Sequence, residues 1–218
     1  MGIVGTAKEW FKDYLSSRSQ IVDIDGTYSD PLEIAISVIQ GSTLGPILFL
    51  CYINDLWKIT SLFTLLFSDD TAGLAKGKDL KVLVKFVNDE LKKISFWFLQ
   101  NKMAVNTSKT KFIVFRPRGK PINDDEVKVV FDCNATHLPQ NENLKVELER
   151  IHDKGETKNY KLLGVLLDEH LSFDAHVNLI SKKLSKSLFC MKRLKNFLPN
   201  VCMKSLYYSM IHRILSIV

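Results

Sequence analysis

Cysteine, proline and glycine are scarce in this 218-residue sequence, at four, six and ten residues. Cys51, Cys133, Cys190 and Cys202 form no CxxC pair. So few thiols exclude a zinc ribbon and a disulfide-stapled secreted mini-domain, and a reducing intracellular compartment, nucleus or cytoplasm, is the expectation. There is no internal repeat and no low-complexity tract, and 46% hydrophobic with 25% charged residues excludes disordered and fibrous classes. Long apolar runs are also missing. The longest, Pro46 to Ile53 and Leu62 to Phe67, fall far short of the roughly 20 residues that cross a bilayer, so no membrane partner is expected.

Negative charge is missing from one end. Residues 175–218 carry eight Lys or Arg and no Asp or Glu, whereas the rest of the chain holds 22 bases against 24 acids, about −2. The overall +6 is therefore concentrated in the C-terminal segment. That segment is where a polyanion would bind.

The patterning predicts an α+β chain. A short helix is expected over Gly2 to Ser16, a strand and turn over Gln20 to Ser29, and a hairpin partner over Leu32 to Val38. Ser42 is a good N-cap with Pro46 in the first turn, and the apolar run predicts one helix to about Trp57. Leu62 to Phe67 and Thr71 to Ala75 flank Ser68-Asp69-Asp70 as a hairpin. Leu80, Leu83, Val87, Leu91, Ile94 and Phe98 give helical spacing over Asp79 to Leu99.

Lys111 to Phe115 reads as a strand. Residues 117–159 read as a polar hairpin insertion, with strands at Val127 to Phe131 and Leu144 to Ile151. Tyr160 to Leu167 reads as one strand closing the first domain, 1–168. Residues 169–218 are expected to form a small helical domain broken at Pro199-Asn200. The apolar stripe of its first helix is Val177, Ile180, Leu184, Leu188, Met191, Leu194 and Leu198, with lysines on the opposite side.

Two adjacent carboxylates at a hairpin tip, Asp69 and Asp70, are hard oxygen ligands suited to Mg²⁺ or Mn²⁺. Two such ions can flank a phosphoryl group during in-line displacement. Upstream, Gln40-Gly41-Ser42 places a glycine and polar side chains before a helix N-terminus, where backbone can approach a nucleotide. Downstream lie Asn106-Thr107-Ser108-Lys109-Thr110-Lys111 and Tyr160-Lys161-Leu162-Leu163-Gly164-Val165.

In this order these segments resemble the reverse transcriptase domain of non-LTR retrotransposons, over essentially the whole chain. The resemblance implies a partial right-hand polymerase, with a palm of antiparallel sheet and helices followed by a helical thumb. It assigns Asp69 and Asp70 to the metal-binding motif C, and Gln40, Gly41 and Ser42 to contacts with the templating base pair and incoming nucleotide. Lys109 becomes the motif D lysine beside the leaving pyrophosphate. Tyr160, Leu162 and Gly164 fall in the primer grip, and Lys182, Lys183 and Lys186 become thumb contacts to the nucleic-acid backbone. The implied activity is RNA-directed DNA polymerisation, with an RNA template, a DNA primer or RNA–DNA duplex, and dNTPs as partners.

The chain departs from the family at three places, one of them the small change to Ser68 where motif C usually has Ala. Ser37-Val38-Ile39 stands where Gly-Val-Pro is usual before Gln40. The fingers and motif A, with its third aspartate, have no counterpart; Asp13, Asp23 and Asp25 align after that motif. The chain alone is therefore expected to bind duplex without polymerising. The alternative function is a catalytically inactive nucleic-acid-binding remnant.

Overall fold

A computed structural model describes residues 2–34, 41–123, 126–132, 145–153 and 157–216. The chain divides into two compact units, Met1–Ala75 and Lys76–Val218.

The first unit opens with α1 (Thr6–Leu15), then four two-residue strands: β1 (Ser19–Gln20), β2 (Asp23–Ile24), β3 (Thr27–Tyr28) and β4 (Leu32–Glu33). They nest as two antiparallel ladders, Gln20 opposite Leu32 and Ile24 opposite Thr27. The strand and turn expected over Gln20 to Ser29 are a small hairpin of their own, β2 with β3. Asp25 and Gly26 both take left-handed φ, 51° and 82°, as a two-residue hairpin turn requires, and the Asp23 carboxylate accepts the Gly26 N–H. The end of the expected partner strand, Ala35 to Val38, lies outside the described residues.

The helix expected to reach Trp57 is two helices, α2 (Leu44–Ile53) and α3 (Leu56–Ile59). Asn54-Asp55 separates them, two residues whose side chains compete with helical backbone bonding; the Asp55 carboxylate accepts from Lys58 Nζ at 2.7 Å. Ile53, Leu56 and Leu62 are the buried apolar side chains of this unit among the described residues. β5 (Phe63–Phe67) and β6 (Asp70–Leu74) complete it as a hairpin. Leu62 packs over Gly73, where a Cβ would stand 3.0 Å from Leu62 Cδ1.

The second unit is built on α4 (Leu80–Gln100), whose start is fixed by the Asp79 carboxylate accepting the Val82 N–H. The predicted stripe faces inward, Ile94 buried and its other members half-buried, and Trp97, outside that stripe, is buried as well. Asn88 on that helix completes an unpaired strand edge. Its amide donates to the Lys128 carbonyl and its oxygen accepts the Val130 N–H, at 3.0 and 2.9 Å.

The sheets here are β7 (Lys111–Ile113) with β10 (Glu149–Ile151), β8 (Val130–Asp132) with β9 (Lys145–Glu147), and β11 (Tyr160–Leu162) with β12 (Val165–Leu167). The β7–β10 pair is parallel, the others antiparallel. The 117–159 segment does contain a hairpin, but it is bound into the core. Val127, Val129, Phe131, Leu148 and Ile151 are all buried, and β8 packs on α4. All five lie in the two runs expected as strands, Val127 to Phe131 and Leu144 to Ile151.

Tyr160 to Leu167 is a tight hairpin rather than one strand, because Leu163 and Gly164 take φ of 46° and 96°. α5 (Asp174–Leu194), α6 (Asn200–Tyr207), a π-helical turn (Tyr208–His212) and α7 (Arg213–Leu215) finish the unit. Val177, Leu188 and Leu194 of the expected α5 stripe are exposed. His176 and Ser187 are buried in their place, the His176 Nδ1 accepting the Leu166 N–H of β12 at 3.4 Å.

The architecture is mixed α and β. Among the described residues every sheet has two strands, and no helix is long and apolar enough to cross a membrane.

Candidate functional site

Phe67 pairs with Asp70 across a two-residue turn of Ser68 and Asp69. Ser68 takes φ 53°, the left-handed geometry that lets so short a turn follow strand twist. Asp69 therefore sits at the hairpin tip and Asp70 begins the return strand. Both are exposed, and among the described residues neither carboxylate has a hydrogen-bond or ion-pair partner. All their lone pairs are available to a hard cation. Asp13, Asp23 and Asp25 do not join them: the one group of three metal-ligating side chains among the described residues lies elsewhere.

In the same unit Gly41 takes φ 82° in open space. The Ser42 Oγ accepts the Gly45 N–H at 2.9 Å and the Tyr14 hydroxyl at 2.8 Å. The N-cap of α2 is Thr43 rather than the expected Ser42, which stands one residue earlier and reaches into the first turn through the first bond; the second ties Ser42 to α1. Gln40 lies outside the described residues.

In the second unit Lys109 closes a turn organised by Asn106. The Asn106 Oδ1 accepts the Ser108 hydroxyl at 2.7 Å and the Lys109 N–H at 3.2 Å, and the Thr110 hydroxyl donates to the Asn106 carbonyl at 2.9 Å. Lys109 is exposed and unpaired among the described residues. Lys111 is committed instead, its Nζ donating to Glu149 at 2.6 Å, which holds the exposed Glu149 carboxyl below its ordinary pKa together with a Thr157 hydrogen bond.

Tyr160 and Leu162 are half-buried on β11, and Gly164 supplies the left-handed turn. Lys182, Lys183 and Lys186 share one exposed side of α5 and line a shallow hollow of about 300 Å³ with Ala175, Asn178 and Leu179.

Sequence reasoning missed a second acidic pair, Asp168-Glu169, with the opposite character. Glu169 is 1% exposed. Its carboxylate accepts Arg116 Nε at 3.0 Å, Arg116 Nη2 at 3.1 Å, Arg150 Nη2 at 3.4 Å and the Asp153 N–H at 3.0 Å. Burial pushes the Glu169 carboxyl up, but the Asp153 N–H and the hydrogen bonds and charges of the arginines outweigh it and leave the pKa lowered.

Asp168 shapes the turn into α5, accepting the N–H groups of His170, Ser172 and Phe173 and the Ser172 hydroxyl. Burial raises its pKa, and those four donors more than offset it. His170 adds Nε2 to Asp153 and Nδ1 to the Arg116 carbonyl, both 2.9 Å. Asp153, Glu169 and His170 gather ligand atoms within 4.8 Å, but the Glu169 oxygens are already taken by cations. This cluster is structural. The only sequence signal for it was an Asp-Glu pair directly after an apolar strand.

The first unit thus carries a hairpin tip with two exposed carboxylates, unpartnered among the described residues, and a glycine-led helix start, and the second carries an exposed lysine turn and a basic helix. Residues 3–167 match the family model for reverse transcriptase (RNA-dependent DNA polymerase), and the chain belongs to that family. It is 26% identical over 211 residues to the RNA-directed DNA polymerase from mobile element jockey of Drosophila melanogaster, covering 92% of this chain and 21% of that protein. It is 27% identical over 183 residues to the probable RNA-directed DNA polymerase from transposon X-element of the same organism, covering 79% of this chain and 17% of that protein. The chain thus spans about a fifth of the length of these relatives. No solved structure matches. The family's chemistry uses divalent metal ions, and the free carboxylates of Asp69 and Asp70 fit that requirement.

Proposed function

We propose that this chain supplies working parts of an RNA-directed DNA polymerase of a non-LTR retrotransposon, with palm elements over 1–168 and a thumb over 169–218. The single observation that carries the reading is the Asp69-Asp70 pair, exposed and unpaired at a hairpin tip within a chain of the reverse transcriptase family. Asp69 and Asp70 would hold Mg²⁺ or Mn²⁺. When bound, such ions supply Lewis-acid stabilisation of the attacking primer 3′-oxygen and of the leaving group.

The remaining roles belong to the chain's own groups. Gly41 and Ser42, with Gln40, border the incoming dNTP and templating base. Ser42 offers its proton, because its oxygen already accepts two hydrogen bonds. Lys109, held on a fixed turn with no partner among the described residues, neutralises or protonates leaving pyrophosphate. Tyr160, Leu162 and Gly164 position the primer strand, and Lys182, Lys183 and Lys186 hold the RNA–DNA duplex by its phosphates.

Primer extension by the complete natural protein, on a primed RNA template with dNTPs and Mg²⁺ or Mn²⁺, tests the reading. Asp69→Asn should lower extension by several orders of magnitude and leave template binding nearly unchanged. Extension at the parental rate would remove motif C from this hairpin.

A further inference from the structure

The inward side of α5 is defined by His176, Ile180, Leu184, Ser187 and Met191, of which His176 and Ser187 are buried. Lys182, Lys186, Phe189 and Arg193 lie on the opposite side. At about 100° per residue they fall within about 60° of one another and make a stripe about 16 Å long. Several apolar side chains of α5 are exposed, Val177, Leu179, Leu188 and Leu194 among them, and Phe189 is the aromatic one. It points away from the packed face and is 59% exposed, in a position where folding asks for a polar residue.

The Arg193 guanidinium carbon lies 5.2 Å from the Phe189 ring centroid, so the helix presents an aromatic ring with a cation beside it at the end of a row of lysines. No acidic residue occurs anywhere in 175–218. The stripe is thus complementary to a polyanion along its length and to a flat, π-rich group at its end. Phosphates followed by an unpaired nucleobase have that chemistry, because every base has a π-face to stack on an aromatic side chain.

We propose that Phe189, flanked by Arg193, is a stacking platform for an unpaired base adjoining a duplex whose phosphates lie on Lys182 and Lys186. The inference rests on the nucleic-acid-binding reading of α5 given above and adds a preference for a junction over a uniform duplex. Lysines alone read backbone charge and would not distinguish the two.

Fluorescence anisotropy with the full 218-residue chain tests it, using a blunt RNA–DNA hybrid and the same hybrid with a short unpaired template overhang. The chain should bind the overhung duplex more tightly. Phe189→Ala should weaken that binding at least about fivefold, the low end for one stacked base, and leave blunt-duplex binding and its salt dependence unchanged. Phe189→Trp should keep the preference. Lys182→Gln with Lys186→Gln should weaken both duplexes alike and flatten the salt slope. Circular dichroism confirms that each variant keeps its helix content.

Equal binding of the two duplexes by the parent chain overturns the platform while leaving the duplex-binding reading in place. So does an overhang preference that survives Phe189→Ala, or an equal loss on both duplexes in that variant. Self-association abolished by Phe189→Ala with nucleic-acid binding intact would assign the ring to a second copy and also overturn it. Absence of binding to either duplex removes both readings.

Discussion

Arg116 and Glu169 meet three times. The Arg116 backbone N–H donates to the Glu169 carbonyl at 3.0 Å, and its guanidinium closes two further bonds on the Glu169 carboxylate at 3.0 and 3.1 Å. Arg116, three residues past β7, is thereby fixed to Glu169, two residues past β12, and Arg150 on β10 approaches the same carboxylate. Asp168 next door shapes the turn from which the basic helix α5 departs. One buried acidic pair therefore anchors the strands and sets the start of the helix that carries Lys182, Lys183 and Lys186.

Removing one partner of this buried pair should be costly, because it leaves a charge uncompensated. Glu169→Gln is expected to lower the unfolding free energy of the second unit by about 3 kcal/mol. Arg116→Lys should lose part of that, since an ammonium cannot make the two-point contact. Urea denaturation followed by tryptophan fluorescence measures both. A Glu169→Gln midpoint within error of the parent would mean the network adds nothing to stability.

The same pair fixes a pH dependence. Asp168 and Glu169 both have lowered pKa values in the folded chain. Unfolded, they titrate at about 3.9 and 4.3. Their contribution is therefore fully present above those values and is lost as pH falls through the lower folded values. The contribution of the pair should be constant from about pH 7 to 5 and fall below about pH 4.5, so that stability drops more shallowly there in Glu169→Gln than in the parent. Thermal denaturation across that range would count against the network if the two curves ran parallel.

What was legible in the sequence was local. Asp79 and the apolar spacing of α4 mark a capped helix because a 3.6-residue period and an N-cap are written in consecutive residues. Phe67-Ser68-Asp69-Asp70 marks a hairpin for the same reason. The split at Asn54-Asp55 and the turn at Leu163-Gly164 were local too, but apolar neighbours on both sides masked them.

The pairing of Lys111 with Glu149 and the meeting of Arg116 with Glu169 were not legible. They join residues 38 and 53 positions apart, and no periodicity encodes a parallel register closed over an intervening hairpin. The free carboxylates were legible by resemblance, whereas the saturated ones needed their partners to be seen in space.

The basic side of α5 makes a prediction independent of the junction. Neutralising Lys182, Lys183 and Lys186 to Gln should weaken duplex binding uniformly across sequences. It should also flatten the slope of log K against log salt by about 0.9 for each phosphate that no longer meets a lysine, on B-form DNA. Titrations at several salt concentrations read the slope directly. An unchanged slope would return these lysines to a solvated helix face.

The last prediction concerns Tyr14 and Ser42. The Ser42 oxygen accepts from the Tyr14 hydroxyl at 2.8 Å and from the Gly45 N–H at 2.9 Å. With both acceptor positions filled, its own proton is the one group left to offer, so Tyr14 fixes the polarity of the hydroxyl as well as its place. Tyr14→Phe removes one of the two bonds and should cost about 1 kcal/mol. Ser42→Ala removes both and should cost more, because the Gly45 N–H at the start of α2 then loses its side-chain acceptor. In Tyr14→Phe with Ser42→Ala the bond between them is counted once, so the double variant should be less destabilised than the sum of the singles by about 1 kcal/mol. Urea denaturation of the four proteins closes the cycle. Additivity within about 0.3 kcal/mol would show that the two hydroxyls do not act together.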